Sequence, residues 1–138
     1  MKKILFLIVL GSVLSCKQKI TDADISNLNG YWEIEKVELP DGDKKEYKVN
    51  ETIDFFKIEA NKGFRKKVMP QLDGTYLTND IQEDIVIAVK DGDATIQYKT
   101  TYASWKEEII ELTKDKLVVK NEQDLEYHYK RPVKFSVK

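Results

Sequence analysis

The chain of 138 residues has one cysteine, Cys16, and one histidine, His128. A lone cysteine closes no intrachain disulfide, so the core alone must hold the fold. A lone histidine offers no metal-ligand spacing, and no metal site is expected from the linear pattern. No apolar run reaches the roughly 20 residues needed to cross a hydrocarbon core. The longest, Ile4 to Leu10, is far shorter and is flanked by Lys2 and Lys3. No block of basic residues stands out, which argues against nucleic acid as a partner. No long helical pattern follows the first segment. These absences remove disulfide scaffolds, membrane-spanning helices and nucleic-acid binders in turn.

The N-terminal segment then carries the strongest signal. Two lysines, an apolar stretch and small Ser15 beside Cys16 follow one another. Charge, apolar run and small residue in that order describe a secretory signal peptide. A signal that stops at a cysteine resembles the lipobox of bacterial lipoproteins. The resemblance implies cleavage before Cys16, a diacylglyceryl group on its thiol and acylation of the new amino terminus. Several acyl chains hold a protein firmly, where one holds it marginally. The implied parts are a signal peptide over 1–15, a lipidated flexible tether over 16–27 and a folded domain over 28–138. Loss of Lys2 and Lys3 leaves 21 of the 23 basic side chains against 24 acidic ones, a net charge of −3. Some bacteria mark surface display with acidic residues just after the lipidated cysteine. Lys17-Gln18-Lys19 lacks them, so the periplasmic side of the outer membrane is expected.

From Gly30 onward, short β-rich runs alternate with turn signals. They cover residues 31–39, 52–60, 64–69, 74–78, 84–90, 94–100, 105–112, 117–120 and 125–131. Asp91-Gly92 is a strong hairpin signal. Hairpin-length links predict an antiparallel meander, which closes into a barrel or packs as a sandwich. Alternation assigns faces. Leu125, Tyr127, Tyr129 and Arg131 share one side of the last run, and Glu126, His128 and Lys130 the other. Ala94, Ile96 and Tyr98 share a face of the sixth. A bulge near Phe55-Phe56 is expected in the second.

Asn29-Gly30-Tyr31-Trp32 at the head of the first run resembles the Gly-x-Trp signature of the lipocalins. Gly74-Thr75-Tyr76, Trp105 to Leu112, Leu117-Val118-Val119 and Tyr127 to Arg131 are similar, in order, to the small lipocalin-like lipoproteins of bacteria. The resemblance implies an all-β, antiparallel up-and-down barrel of about eight strands. It also implies that Arg131 packs over Trp32 where the first and last strands meet. An inward arginine needs such a partner, because an unpaired buried charge is costly.

Eight strands enclose an interior that side chains just fill, or that holds one small ligand. The family resemblance favours a small hydrophobic ligand, with Phe56, Ile58, Ile96, Tyr98, Tyr127 and Tyr129 as candidate lining and loops 40–51 and 70–83 at the mouth. A scaffold lipoprotein with a filled core is the alternative. No catalytic residue and no cofactor is assigned, and the protein is expected to be a monomer and not an enzyme. His128, between Glu126 and Lys130, is expected to be solvated. Glu107 and Glu108 are expected on an exposed face. Asp41, Asp43, Asp91 and Asp93 read as turn residues, since their loops lack the ligands of a calcium loop. Phe64-Arg65-Lys66-Lys67 reads as a charged edge strand.

Overall fold

A computed structural model describes residues 17–133. Cys16, the segment 1–15 expected to be a signal peptide, and residues 134–138 lie outside the described residues. A 3-10 helix (Asp22–Leu28) precedes ten strands. These are β1 (Gly30–Glu38), β2 (Lys44–Glu46), β3 (Ile53–Glu59), β4 (Lys62–Pro70), β5 (Tyr76–Thr78), β6 (Glu83–Lys90), β7 (Asp93–Lys99), β8 (Ser104–Leu112), β9 (Lys116–Asn121) and β10 (Glu126–Lys130).

Every pairing is antiparallel, and β10 returns to pair with β1. Eight strands therefore close a ring in the order β1, β3, β4, β6, β7, β8, β9, β10. Short β2 and β5 lie off the ring, against the mouth ends of β1 and β4. β2 falls inside the stretch read from sequence as loop 40–51. The β3–β4 ladder runs without a register shift. The irregularities lie instead between Ile34 and Lys36 in β1 and between Ile109 and Glu111 in β8. A bulge tightens local twist, and a small closed ring needs such corners.

Two-residue turns close the bottom of the barrel. Ala60-Asn61 and Asp91-Gly92 both have positive φ, the geometry that matches the twist of a tight hairpin. The 3-10 helix covers this end. Its Ile25 and Leu28 join Ile20, Trp32, Phe56, Ile58, Ile85, Ile87, Ile96, Ile109, Leu112 and Leu117 in one buried cluster. Asp24 caps the helix by accepting from the Thr21 amide and hydroxyl at 2.9 and 3.0 Å.

Residues 17–20 do not form the free tether expected from sequence. The Gln18 amide donates to Ile110 O, and the Ile20 amide donates to Gly92 O. The Gln18 side chain donates to Leu112 O at 3.0 Å and accepts from Leu112 N–H at 2.8 Å. Lys17 pairs with Asp93 and Glu108, and Ile20 is fully buried. The segment is a strap across the closed end. Its apolar anchor, Ile20, was hidden in the sequence by the polar residues around it.

Three further expectations change. His128 faces outward but is only 9% exposed, because Glu38 and Glu126 crowd its ring. Glu107 is 7% exposed and inward-facing rather than solvated. β4 is an interior strand of the ring, not an edge.

Candidate functional site

Arg131 locks the closed end. Its guanidinium lies 3.6 Å from the Trp32 ring centroid. It donates to Asn27 O, Tyr31 O and Lys114 O at 2.8, 3.0 and 2.9 Å. Those carbonyls belong to the helix, to β1 and to the β8–β9 turn. The Trp32 Nε1–H donates to Leu28 O at 2.8 Å. Gly30 adopts φ +108, and a Cβ there would stand 3.2 Å from the arginine. The glycine of Gly-x-Trp is thus required both by its backbone and by the guanidinium beside it.

Above this floor the six expected lining residues divide. Phe56, Ile58, Ile96 and Tyr98 pack within the buried cluster. Tyr129 belongs to the same cluster and, with half-buried Tyr127, also borders the open space near the mouth. One chamber of about 500 Å³ is bounded by Arg65, Lys67, Trp105, Glu107, Asn121, Tyr127 and Tyr129, among others. A second, of about 430 Å³, is bounded by Ile34, Tyr47, Asp54, Lys67, Tyr127 and Tyr129, among others. Lys67 and the two tyrosines border both, so the chambers meet there.

The floor of these chambers is charged. Arg65 reaches inward from β4 and is bound by Glu83 at 2.5 Å. Its guanidinium lies 4.2 Å from the Tyr98 ring centroid and 4.0 Å from Glu107 Oε1. Burial works against its charge, but Tyr98, Asp54 and Glu83 together push its pKa up. Asp54, 3% exposed, pairs with Lys67 at 2.5 Å. Glu107 Oε1 has no hydrogen-bond partner. Burial pushes the Glu107 carboxyl above its ordinary value of 4.5, against the pull of Tyr98 and Arg65. Burial likewise raises the Tyr98 and Tyr129 hydroxyls.

The pattern in the sequence could have exposed this cluster. Asp54 lies two and four residues before Phe56 and Ile58, on one face of β3. Arg65 and Lys67 alternate with Phe64 and Lys66 on β4. Weighing residue type over position hid them.

A carboxyl raised by burial takes up its proton more readily in the folded chain. That preference stabilises the fold below about pH 4.5 and is lost as pH climbs through the folded value. Glu107→Gln keeps the shape and removes the titration. The variant should therefore gain on the wild type as pH rises from about 4 towards 7. Urea unfolding at several pH values checks this, and parallel stability profiles would contradict it.

A third concavity, of about 330 Å³, lies on the outer wall between Ile53, Pro70, Tyr76 and Pro132. The roofing β4–β5 hairpin stacks Tyr76 on Tyr31 at 4.1 Å. Among the described residues, no buried polar group without a partner faces it. The mouth chambers offer both an apolar wall and oriented charge, which ligand sites combine.

A family model described as a lipocalin-like domain matches residues 28–119. Among solved structures, a lipocalin-like protein from Bacteroides uniformis ATCC 8492 aligns at 11% identity. The alignment covers 77% of this chain and 99% of that one, with a TM-score of 0.48. An uncharacterized protein from Bacteroides eggerthii DSM 20697 aligns at 14% identity, covering 76% and 99%, with a TM-score of 0.47. No curated protein sequence matches.

Proposed function

Because the chain belongs to the lipocalin-like domain family, we propose that its barrel binds a small amphipathic molecule in the mouth chambers. We further propose that acyl chains on Cys16 hold it on a bacterial envelope membrane. The observation that carries the binding reading is the chamber of about 500 Å³ with aromatic walls and a charged floor. Trp105, Tyr127 and Tyr129 would cover apolar ligand surface, worth about 25 cal/mol per Å² before the costs of association. Arg65 and Glu107 would orient a polar end. A wholly apolar ligand would offer nothing to Glu107 Oε1, which has no hydrogen-bond partner, and that is unfavourable. The polar floor thus narrows the hydrophobic class expected from sequence to molecules with one polar end. Exposed Leu39, Val49, Leu72 and Ile81 lie in the mouth loops, where such a ligand would enter.

Binding fits the cluster better than catalysis does. Asp54 is neutralised by Lys67 and Glu83 by Arg65. Only Glu107 is left without a close ionic partner, and one such carboxyl does not make a paired acid and base.

The docked strap gives the proposed anchor a direction. Cys16 directly precedes Lys17, which pairs with Asp93 and Glu108 beside the closed end. Acyl chains there would hold the closed end against the bilayer and turn the mouth away from it, towards the periplasm if the membrane is the outer one. Cys16→Ala should shift the protein from the membrane fraction to the soluble fraction.

Native mass spectrometry of the protein purified from its envelope tests ligand binding. It should report a retained small molecule. Tyr127→Ala should lose that mass, and should bind anilinonaphthalene sulfonate at least about tenfold more weakly, a change of about 1.4 kcal/mol. An empty wild type with no dye binding would favour the filled-barrel scaffold instead, a reading that the close packing of the lower half supports.

A further inference from the structure

We propose that Glu38, Glu126 and His128 form a site for a divalent transition metal, zinc in the first instance, on the seam that closes the barrel. Candidate ligand atoms of all three lie within 4.8 Å of one another. The site arises from the β1–β10 register and not from spacing along the chain. Glu38 stands directly opposite Glu126, and His128 is the next residue of β10 on the same face.

The arrangement is unfavourable without a cation. Carboxylates set opposite each other across an antiparallel pair repel. His128 Nε2 is sealed from solvent and has no hydrogen-bond partner of good geometry. It points at Glu126 Oε1, 3.0 Å away, and at Glu38 Oε2, 3.7 Å away. Lys36 takes the other Glu38 oxygen at 3.1 Å. That contact leaves Oε2 on the side of the imidazole.

These separations suit zinc. Bond lengths of about 2.0–2.2 Å to nitrogen and oxygen put the ligand atoms of a tetrahedral site roughly 3.4 Å apart. The two histidine separations bracket that value, and the two carboxylates lie within 4.8 Å of each other. Imidazole favours zinc, copper and nickel over the hard cations. Calcium takes six to eight oxygens, which this triad cannot supply. Three protein ligands leave a fourth position open to water or to another donor. The ion would tie the first barrel strand to the last, on either side of Tyr127 in the chamber wall.

The test titrates the purified protein, in detergent, with zinc against a chromophoric chelator. One zinc ion per chain should bind, and zinc should raise the thermal midpoint by mass action. His128→Gln should abolish saturable binding and the thermal shift. Glu126→Gln should weaken binding by at least the roughly tenfold that losing even a supporting group costs. Far-ultraviolet circular dichroism without metal separates lost ligation from lost folding, and the second variant keeps the test alive if the first does not fold. Equal zinc affinity in the wild type and a folded variant would overturn the site. So would calcium binding as tightly as zinc.

Discussion

Trp32→Ala should lower the folding free energy by about 3–5 kcal/mol, the range for emptying a buried aromatic site. For a domain of this size that is a fall of roughly 10–20 °C in the thermal midpoint. The indole is fully buried, so truncation empties space that the side chain fills. The loss extends beyond volume. Leu28 O would lose the indole N–H that it accepts at 2.8 Å. Arg131 would lose the ring beneath its guanidinium, leaving a half-buried charge held only by carbonyls. Those carbonyls come from three separate segments, so loosening Arg131 frees the helix cap, β1 and the β8–β9 turn together. Arg131→Lys should not substitute, because one ammonium cannot span three carbonyls as a planar guanidinium does. Unfolding followed by circular dichroism measures the effect. A midpoint within about 3 °C of wild type would remove Trp32 from its central place in the core.

What the sequence disclosed follows from how each feature is encoded. Ring closure was legible because Gly30, Trp32 and Arg131 are unusual residues in a fixed order, and an inward arginine on the last strand demands a partner. Most strands were legible because alternation with period two survives even in short runs. The strap was not, because it has a single buried apolar side chain, Ile20, and its backbone, Gln18 and Lys17 bond to partners more than 70 residues further along the chain. β2 was not, because Lys44 to Glu46 has no apolar face to mark it. The charged floor was misread for a different reason. Charged side chains face solvent by default, so Phe64-Arg65-Lys66-Lys67 reads as an edge strand and Glu107 as solvated, although Arg65 and Glu107 meet inside the barrel. The Glu38, Glu126 and His128 cluster lay beyond linear reading altogether. It exists only through a register between strands at opposite ends of the domain, itself offset by the irregularity between Ile34 and Lys36.

Arg65→Met should cost about 3–5 kcal/mol, the range for removing one partner of a buried ion pair. Methionine fills much of the same volume, so the loss is electrostatic before it is steric. Glu83 would lose its cation at 2.5 Å. Glu107 would lose the guanidinium that lies 4.0 Å from its Oε1. Lys67 is engaged with Asp54 and is the more exposed of the two cations, so it cannot replace the lost charge at the floor. The Tyr98 ring would also lose the cation beside it. Because the damage is stranded negative charge, neutralising that charge should repair part of it. Arg65→Met with Glu83→Gln should be more stable than Arg65→Met alone, although Glu83→Gln by itself should be destabilising. That sign reversal in a double-mutant cycle distinguishes a charge-balanced floor from simple packing, for which the two losses would add. Additive losses in urea unfolding would mean that Arg65 acts as bulk and that the chamber floor is held by something other than its charge.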